Sequence, residues 1–437
     1  MNKFALGLIC ALALSGCDST PDKKPLEGER LSILDLQREL KPSAEQNPSE
    51  IISFPPAIQN KEWPQRGGYP NHMMQNLFVG DTAQLERIWT ADIGQGSTDE
   101  LPLTAQPVIA QGKVFTLDTD SNVRAFHDQT GKLLWDTDIR NPIEKDEVIS
   151  GGIAYDNNKV YVTSGFNEVI ALSAEDGKIL WRTKISAGSR AAPTIKNGRI
   201  FVSALNNNAI AIDAESGKTL WEYEGVGETT ALLGAASPAA DDEVVICAFS
   251  SGDLVALRVE NGSVAWDSNL GNSLRLGAMA GLSDIRGLPV INGDIAIAVS
   301  FGGKMAAYDK HNGTPVWQAE VSSSETPWVA GNTVYVMSAD YKLMAFNGAT
   351  GEILWITEVQ KYQDPKDREG LLAWAGPIMA GGRLILAGSD GRMVEYNPLN
   401  GAEITKWSVK KAINIAPIVS GGALYLLGED GSLLAYR

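Results

Sequence analysis

The chain has 437 residues, 44% of them hydrophobic, with 44 glycines and a formal net charge of −16. That length and apolar content suffice for one large core or two medium ones, and the acidity argues against nucleic acid and against broad attraction to anionic lipid. After the first residues no stretch reaches the roughly 18 consecutive apolar residues expected of a membrane-spanning helix.

The opening residues predict an export signal over 1–16. Lys3 supplies the positive end, and residues 4–14 form an apolar run too brief to span a bilayer. The run ends in Leu14-Ser15-Gly16-Cys17, which matches the bacterial lipobox and predicts cleavage before Cys17 and lipidation of that cysteine. Each buried acyl methylene contributes roughly 0.8 kcal/mol, so several chains on Cys17 would hold the protein on a membrane surface.

Residues 17–84 then read as the lipidated N-terminus and a tether. Pro21, Pro25, Pro42, Pro48, Pro55 and Pro56 punctuate a polar stretch, as in a flexible spacer. Residues 31–40 could form two or three amphipathic turns, with Ile33, Leu36 and Leu40 on one face. Residues 63–76 are richer in glycine and aromatics and are expected to pack on the body. Cys10 leaves with the signal and Cys17 is the lipidation site. The remaining cysteine, Cys247, sits in an apolar run and reads as a small buried hydrophobe.

From residue 85 onward the sequence is periodic. A tryptophan closes each unit (Trp89, Trp135, Trp181, Trp221, Trp266, Trp317, Trp355 and Trp407) at spacings of 38 to 52 residues, a period that indicates a solenoid or a propeller. The apolar runs between them are short and β-branched or aromatic, such as Val160-Tyr161-Val162 and Ile200-Phe201-Val202. Pairs such as Asp176-Gly177, Asn197-Gly198 and Asn312-Gly313 supply hairpin turns. Four strands per unit of about 45 residues predict an all-β propeller over 85–437. The last unit, from Ala416 to Tyr436, has three strands, and residues 85–90 carry the missing tryptophan strand. The ring should therefore close by pairing its N- and C-terminal strands, which removes an open edge. Eight tryptophan strands predict eight blades. Seven is the alternative if residues 401–407, where the tryptophan falls two positions late, are irregular.

The motif Asp/Glu-x-x-Thr/Ser-Gly-Lys-x-Leu-Trp resembles the tryptophan-docking repeat of quinoprotein-type propellers. Joined to a lipobox and a tether, the array is similar to the BamB family, lipoproteins of the outer-membrane β-barrel assembly (BAM) complex. The resemblance implies a non-enzymatic scaffold without cofactor or metal, a monomer within its complex, lipid-anchored at the periplasmic face of the outer membrane. It implies binding to the POTRA domains of BamA, with unfolded outer-membrane proteins as possible further partners, and a role in their folding and insertion. Asp18, directly after Cys17, is a residue that tends to retain enteric lipoproteins in the inner membrane, so that membrane is the alternative location.

The family's partner-binding loops map onto two places. Leu232, Leu233 and Gly234 match one, with Leu233 where arginine is usual. Asp284, Ile285 and Arg286 match the other, with Arg286 in place of a second acid. The long insertions 225–236 and 271–288 follow adjacent blades and should lie side by side on one rim, where rigid scaffolds present recognition loops.

The rival readings are another periplasmic binding propeller and a dehydrogenase using pyrroloquinoline quinone, whose opening Trp63-Pro64-Gln65-Arg66-Gly67-Gly68 loosely echoes. Those enzymes are longer and usually carry adjacent cysteines, a calcium site and a catalytic aspartate; no Cys-Cys pair exists here. His72, His127 and His311 lie in separate segments without metal spacing, and no serine sits in a nucleophile elbow. No catalytic residue is assigned.

Overall fold

A computed structural model describes residues 40–42, 47–80, 85–141, 148–149, 151–228, 233–271 and 283–437. The signal, Cys17 and residues 31–39 of the expected amphipathic turns lie outside them.

The periodic runs form eight four-stranded antiparallel sheets, the blades of a propeller. Blade 1 runs outward from Val108–Ala110 to Leu133–Asp138, and blade 2 from Gly152–Asp156 to Ile179–Lys184. Blades 3 and 4 begin at Thr194–Lys196 and Ala239–Ala240, blades 5 and 6 at Val290–Asn292 and Trp328–Ala330, and blade 7 at Trp374–Ala380. Blade 8 has Ile418–Ser420, Ala423–Leu427 and Ser432–Tyr436, and its outermost strand is Arg87–Asp92 from the other end of the body. Trp89 stands opposite Ala435 in that seam, so the closure and the blade number expected from the repeat are both met. Inner strands are almost wholly buried, whereas outer strands alternate or lie exposed, as sheets stacked around an axis require.

The tryptophans latch neighbouring blades. Six donate their indole Nε1 to a backbone carbonyl of the next blade at 2.6–3.2 Å, from Trp89 to Asp128 through Trp355 to Pro398. The rings of these six and of Trp181 lie against the glycine of the next blade's outer turn. At Gly217, with φ +72°, a Cβ would stand 2.7 Å from the Trp181 ring. The position therefore demands glycine twice, for its backbone and for the indole's approach.

Blade 7 departs from this pattern for a topological reason. Elsewhere the tryptophan faces an alanine across the sheet, as Trp181 faces Ala171. In blade 7 Thr405 takes that place opposite Glu395, and Trp407 faces Met393. Blade 8 has no outer hairpin, because its outer strand arrives from the other terminus, so no turn glycine awaits a tryptophan. Trp407 instead meets Tyr436 edge-on at 5.4 Å and donates Nε1 to Glu395 at 3.1 Å. The fully buried Glu395 carboxylate is also paired with Arg383 at 2.8 Å.

Residues 47–80, within the stretch assigned to the tether, lie against the ring. A short helix, Pro48–Ile51, is capped by Asn47. The chain then follows the axis-facing edges of the inner strands and touches every blade in turn. Asn60 reaches Val419 and Gly421 of blade 8. Trp63 exchanges two backbone bonds with Ile109 of blade 1, Tyr155 of blade 2 donates to Pro64, and Ile195 of blade 3 donates to the Gln65 side chain. Ala240 of blade 4 donates to Pro70, and Ile291 of blade 5 to Asn71. Trp328 of blade 6 bonds Gln75, Leu77 pairs with Met379 and Gly381 of blade 7, and Gly80 returns to Gly422 of blade 8. The belt crosses itself where Phe78 donates to Ile58 at 2.7 Å.

Candidate functional site

The belt makes the two ends of the axis unlike. It binds where the inner strands finish, at the end that also carries the outer turns. We call this the lower end. The loops that pass from blade to blade, and the turns inside each blade's central hairpin, gather at the upper end. Belt side chains pack into the core: Trp63, Met74 and Leu77 are buried. What remains above them is a cup of about 430 Å³, within the range of small-molecule sites.

Belt residues form its floor and the blade-to-blade loops its wall. Gln106 ties the two together: its Oε1 accepts from Trp63 Nε1 and from the Gly67 N–H, and its Nε2 donates to the Ala416 carbonyl. Arg66 rises from the belt and donates through Nη1 to Ala235 at 2.9 Å. Arg286, from the loop entering blade 5, lines the same cup. Burial and the nearby Arg286 charge together lower Arg66 to about 10, so it remains protonated at neutral pH. Glu325 accepts from the Gly376 N–H at 3.0 Å. Burial pushes its carboxyl upward, and the charges of Arg286 and Arg66 pull it back. His72 is 4% exposed, its Nδ1 lies 2.7 Å from the Pro289 carbonyl, and burial drops it to about 4. The ring is neutral, with Nδ1–H as donor and Nε2 as acceptor.

The six residues expected at a partner interface are distributed unequally. Leu233 is 42% exposed at the upper end. Gly234 and Arg286 both line the cup, and a Cβ on Gly234 would stand 3.3 Å from Arg286 Nε. The two loops thus meet at this pair. Asp284 and Ile285 point the other way. Both are buried; Ile285 packs in the core with Leu288 and Ile291, and its N–H bonds Phe249 while Phe301 bonds the Asp284 carbonyl. The chain is already descending into blade 5 there, and its side chains turn inward. Leu232 lies outside the described residues. Cys247 is buried in blade 4, where burial pushes its thiol up to about 12.

Sequence reasoning missed Arg66, His72, Gln106 and Glu325. The signal for the first two was present in the aromatic and glycine-rich run 63–76 inside an otherwise polar stretch. No pattern marks Glu325 or Gln106, which face the cup only because of where the blades place their loops.

A family model described as "Outer membrane protein assembly factor BamB" matches residues 119–357, more than half of the chain. The chain belongs to the BamB family. BamB of Xanthomonas campestris pv. campestris is 30% identical over 314 residues, covering 71% of each chain. BamB of Shigella dysenteriae is 29% identical over 347 residues, or 78% of this chain and 84% of the relative. The crystal structure of BamB from Moraxella catarrhalis superposes with a TM-score of 0.69 at 22% identity, covering 81% of this chain and all of that one. A second model, for the propeller domain of glucose, ethanol and alcohol dehydrogenases, matches residues 318–423. A quinohemoprotein alcohol dehydrogenase from Pseudomonas putida superposes at 0.65 with 13% identity, over 87% of this chain and 80% of that one. At that identity the likeness is one of fold, and the dehydrogenase alternative has only this distant support. Among the described residues no helix is long and apolar enough to cross a membrane.

Proposed function

We propose that the chain is a non-enzymatic outer-membrane protein assembly factor. Lipidated at Cys17 and held at the periplasmic face of the outer membrane, it docks the POTRA domains of BamA and assists folding and insertion of outer-membrane proteins. The observation that carries the docking site is the approach of Gly234 to Arg286 on the upper rim, where the described ends of two loops come together. Leu233 stands exposed beside Gly234 and Arg286, and Val226 is 66% exposed in the same loop. Exposed apolar side chains next to a guanidinium form a suitable interface core. Leu232, outside the described residues, is included in the proposed interface by the sequence resemblance alone. The belt supports this reading, because it braces the ring from below and leaves the upper loops to recognise a partner.

The test is co-purification from detergent-solubilised membranes. Crosslinking should give BamA as the main species with the unaltered chain. L233E should lower its recovery at least tenfold, about 1.4 kcal/mol, without moving the melting temperature. Undiminished recovery removes this surface, and a main partner unrelated to BamA removes the assembly role.

A further inference from the structure

We propose that the cup at the upper end of the axis binds a small organic carboxylate with an aromatic or other apolar body, its carboxylate held by Arg286 and Arg66. This reading goes beyond the docking of a protein partner and does not depend on it.

The first ground is an unmatched pair of cations. Arg286 lines the cup and makes no hydrogen bond or ion pair with any described residue, although it is only partly exposed. Arg66 uses one Nη on the Ala235 carbonyl, which leaves most of its five donors unused. The two guanidinium groups border the same cup, Arg66 bonded to the Ala235 carbonyl and Arg286 lying against the adjacent Gly234. Glu325 is the acid that feels both, yet it lies beyond ion-pair distance of either and takes its bond from a backbone N–H. Glu325 and Glu429 also line the cup, but Glu325 takes its bond from a backbone N–H and Glu429 from the Asn414 side chain, so among the described residues neither carboxylate is the mate of Arg286. Guanidinium groups bind carboxylates in a forked, two-bond geometry, and the gain rises where water is scarce.

The second ground is the wall. Trp328, Trp374, Tyr341, Met337 and Ile378 line the cup above the charged floor, and aromatic walls with few convergent polar groups are the usual make-up of a small-molecule site. His72 lines the cup as a neutral ring and adds no charge to it. Glu325 sets the selectivity against ligands with several carboxylates, because a second anion would meet it.

The probe pair is 1-naphthoate and its neutral isostere 1-naphthamide, titrated into the purified full chain. Binding is read by calorimetry and by tryptophan fluorescence, since Trp63, Trp328 and Trp374 border the cup. One-site binding of naphthoate with a Kd below about 1 mM is expected, with naphthamide at least tenfold weaker. R286Q should bring naphthoate down to the level of naphthamide, and R286K should fall between. Equal binding of acid and amide overturns the proposal, as does the absence of saturation or an unchanged affinity in folded R286Q. The acid-to-amide ratio on the unaltered chain decides the matter even if the variants fail to fold. BamA recovery is measured on a separate axis, so failure here leaves the docking role where it stood.

Discussion

The two ends of this propeller are built from the same eight blades and solve opposite problems. At the lower end the free inner edges of the strands are paired by a belt from outside the repeat. The backbone N–H groups of Ile109, Tyr155, Ala240 and Ile291 find belt carbonyls there, and Ile195 finds the Gln65 side chain. Trp63, Met74 and Leu77 of the belt are buried. At the upper end no such segment intervenes among the described residues. Arg286 makes no bond to any of them, Leu233 and Val226 are exposed, and they leave a cup. A ring of repeats does not by itself decide which face recognises a partner. On the proposed reading, a non-repeating segment decides it here by closing the other face.

If that contrast is right, changes at the lower end should cost stability and changes at the upper end should cost binding. The largest effect should come from removing residues 1–80. Trp63, Met74, Leu77 and Val79 are each almost fully buried. At about 2.5 kcal/mol apiece their loss totals about 10 kcal/mol, comparable with the whole stability of a domain. The truncated chain should show no cooperative thermal transition by circular dichroism. A ring that melts as the full chain does would make the belt an ornament. Trp63→Ala is the milder form of the same experiment. It removes a fully buried indole and its bond to Gln106, and should lower the unfolding free energy by about 3–5 kcal/mol in urea while the protein still folds.

The contrast also explains what could be read in advance. Eight evenly spaced tryptophans, turn glycines and a three-stranded last unit specify the ring and its closure, because each repeats a local rule. Even the late Trp407 was visible as an irregularity. Its cause was not, since the missing turn glycine belongs to blade 8 and is absent only through the way the ring closes. The belt escaped for a related reason. Asn60, Gln65, Pro70 and Gln75 follow no period of their own, and each is fixed by the strand edge it meets. Asp284 and Ile285 show the converse limit: a motif resemblance chose the loop and could not say where it turns inward.

His72 offers a test by pH. Its folded value of about 4 lies below the ordinary 6.5, so between those values the unfolded chain binds a proton that the native protein does not. Stability from this group is therefore fully present above pH 6.5 and is lost as the pH falls toward 4, by about 3 kcal/mol in all. His72→Gln, which can keep a donor toward Pro289, should flatten that slope in urea titrations at fixed pH. A slope unchanged by the substitution would show that His72 is not the buried neutral group described.

The smallest effect on stability belongs to the upper rim, and there the smallness is the point. Leu233 is 42% exposed and stands in a loop, not in a blade. Leu233→Ala should change the unfolding free energy by no more than about 0.5 kcal/mol. Its counterpart in a blade, Leu172, is fully buried, and truncation there should cost about 2–5 kcal/mol. Should Leu233→Ala destabilise like the core position, the leucine would be part of the packing beneath the loop. The upper end would then be braced as firmly as the lower one, and the division of labour between them would disappear. If it is neutral in urea yet lowers BamA recovery, the same side chain separates the two ends by experiment: idle in folding, and active only when a partner arrives.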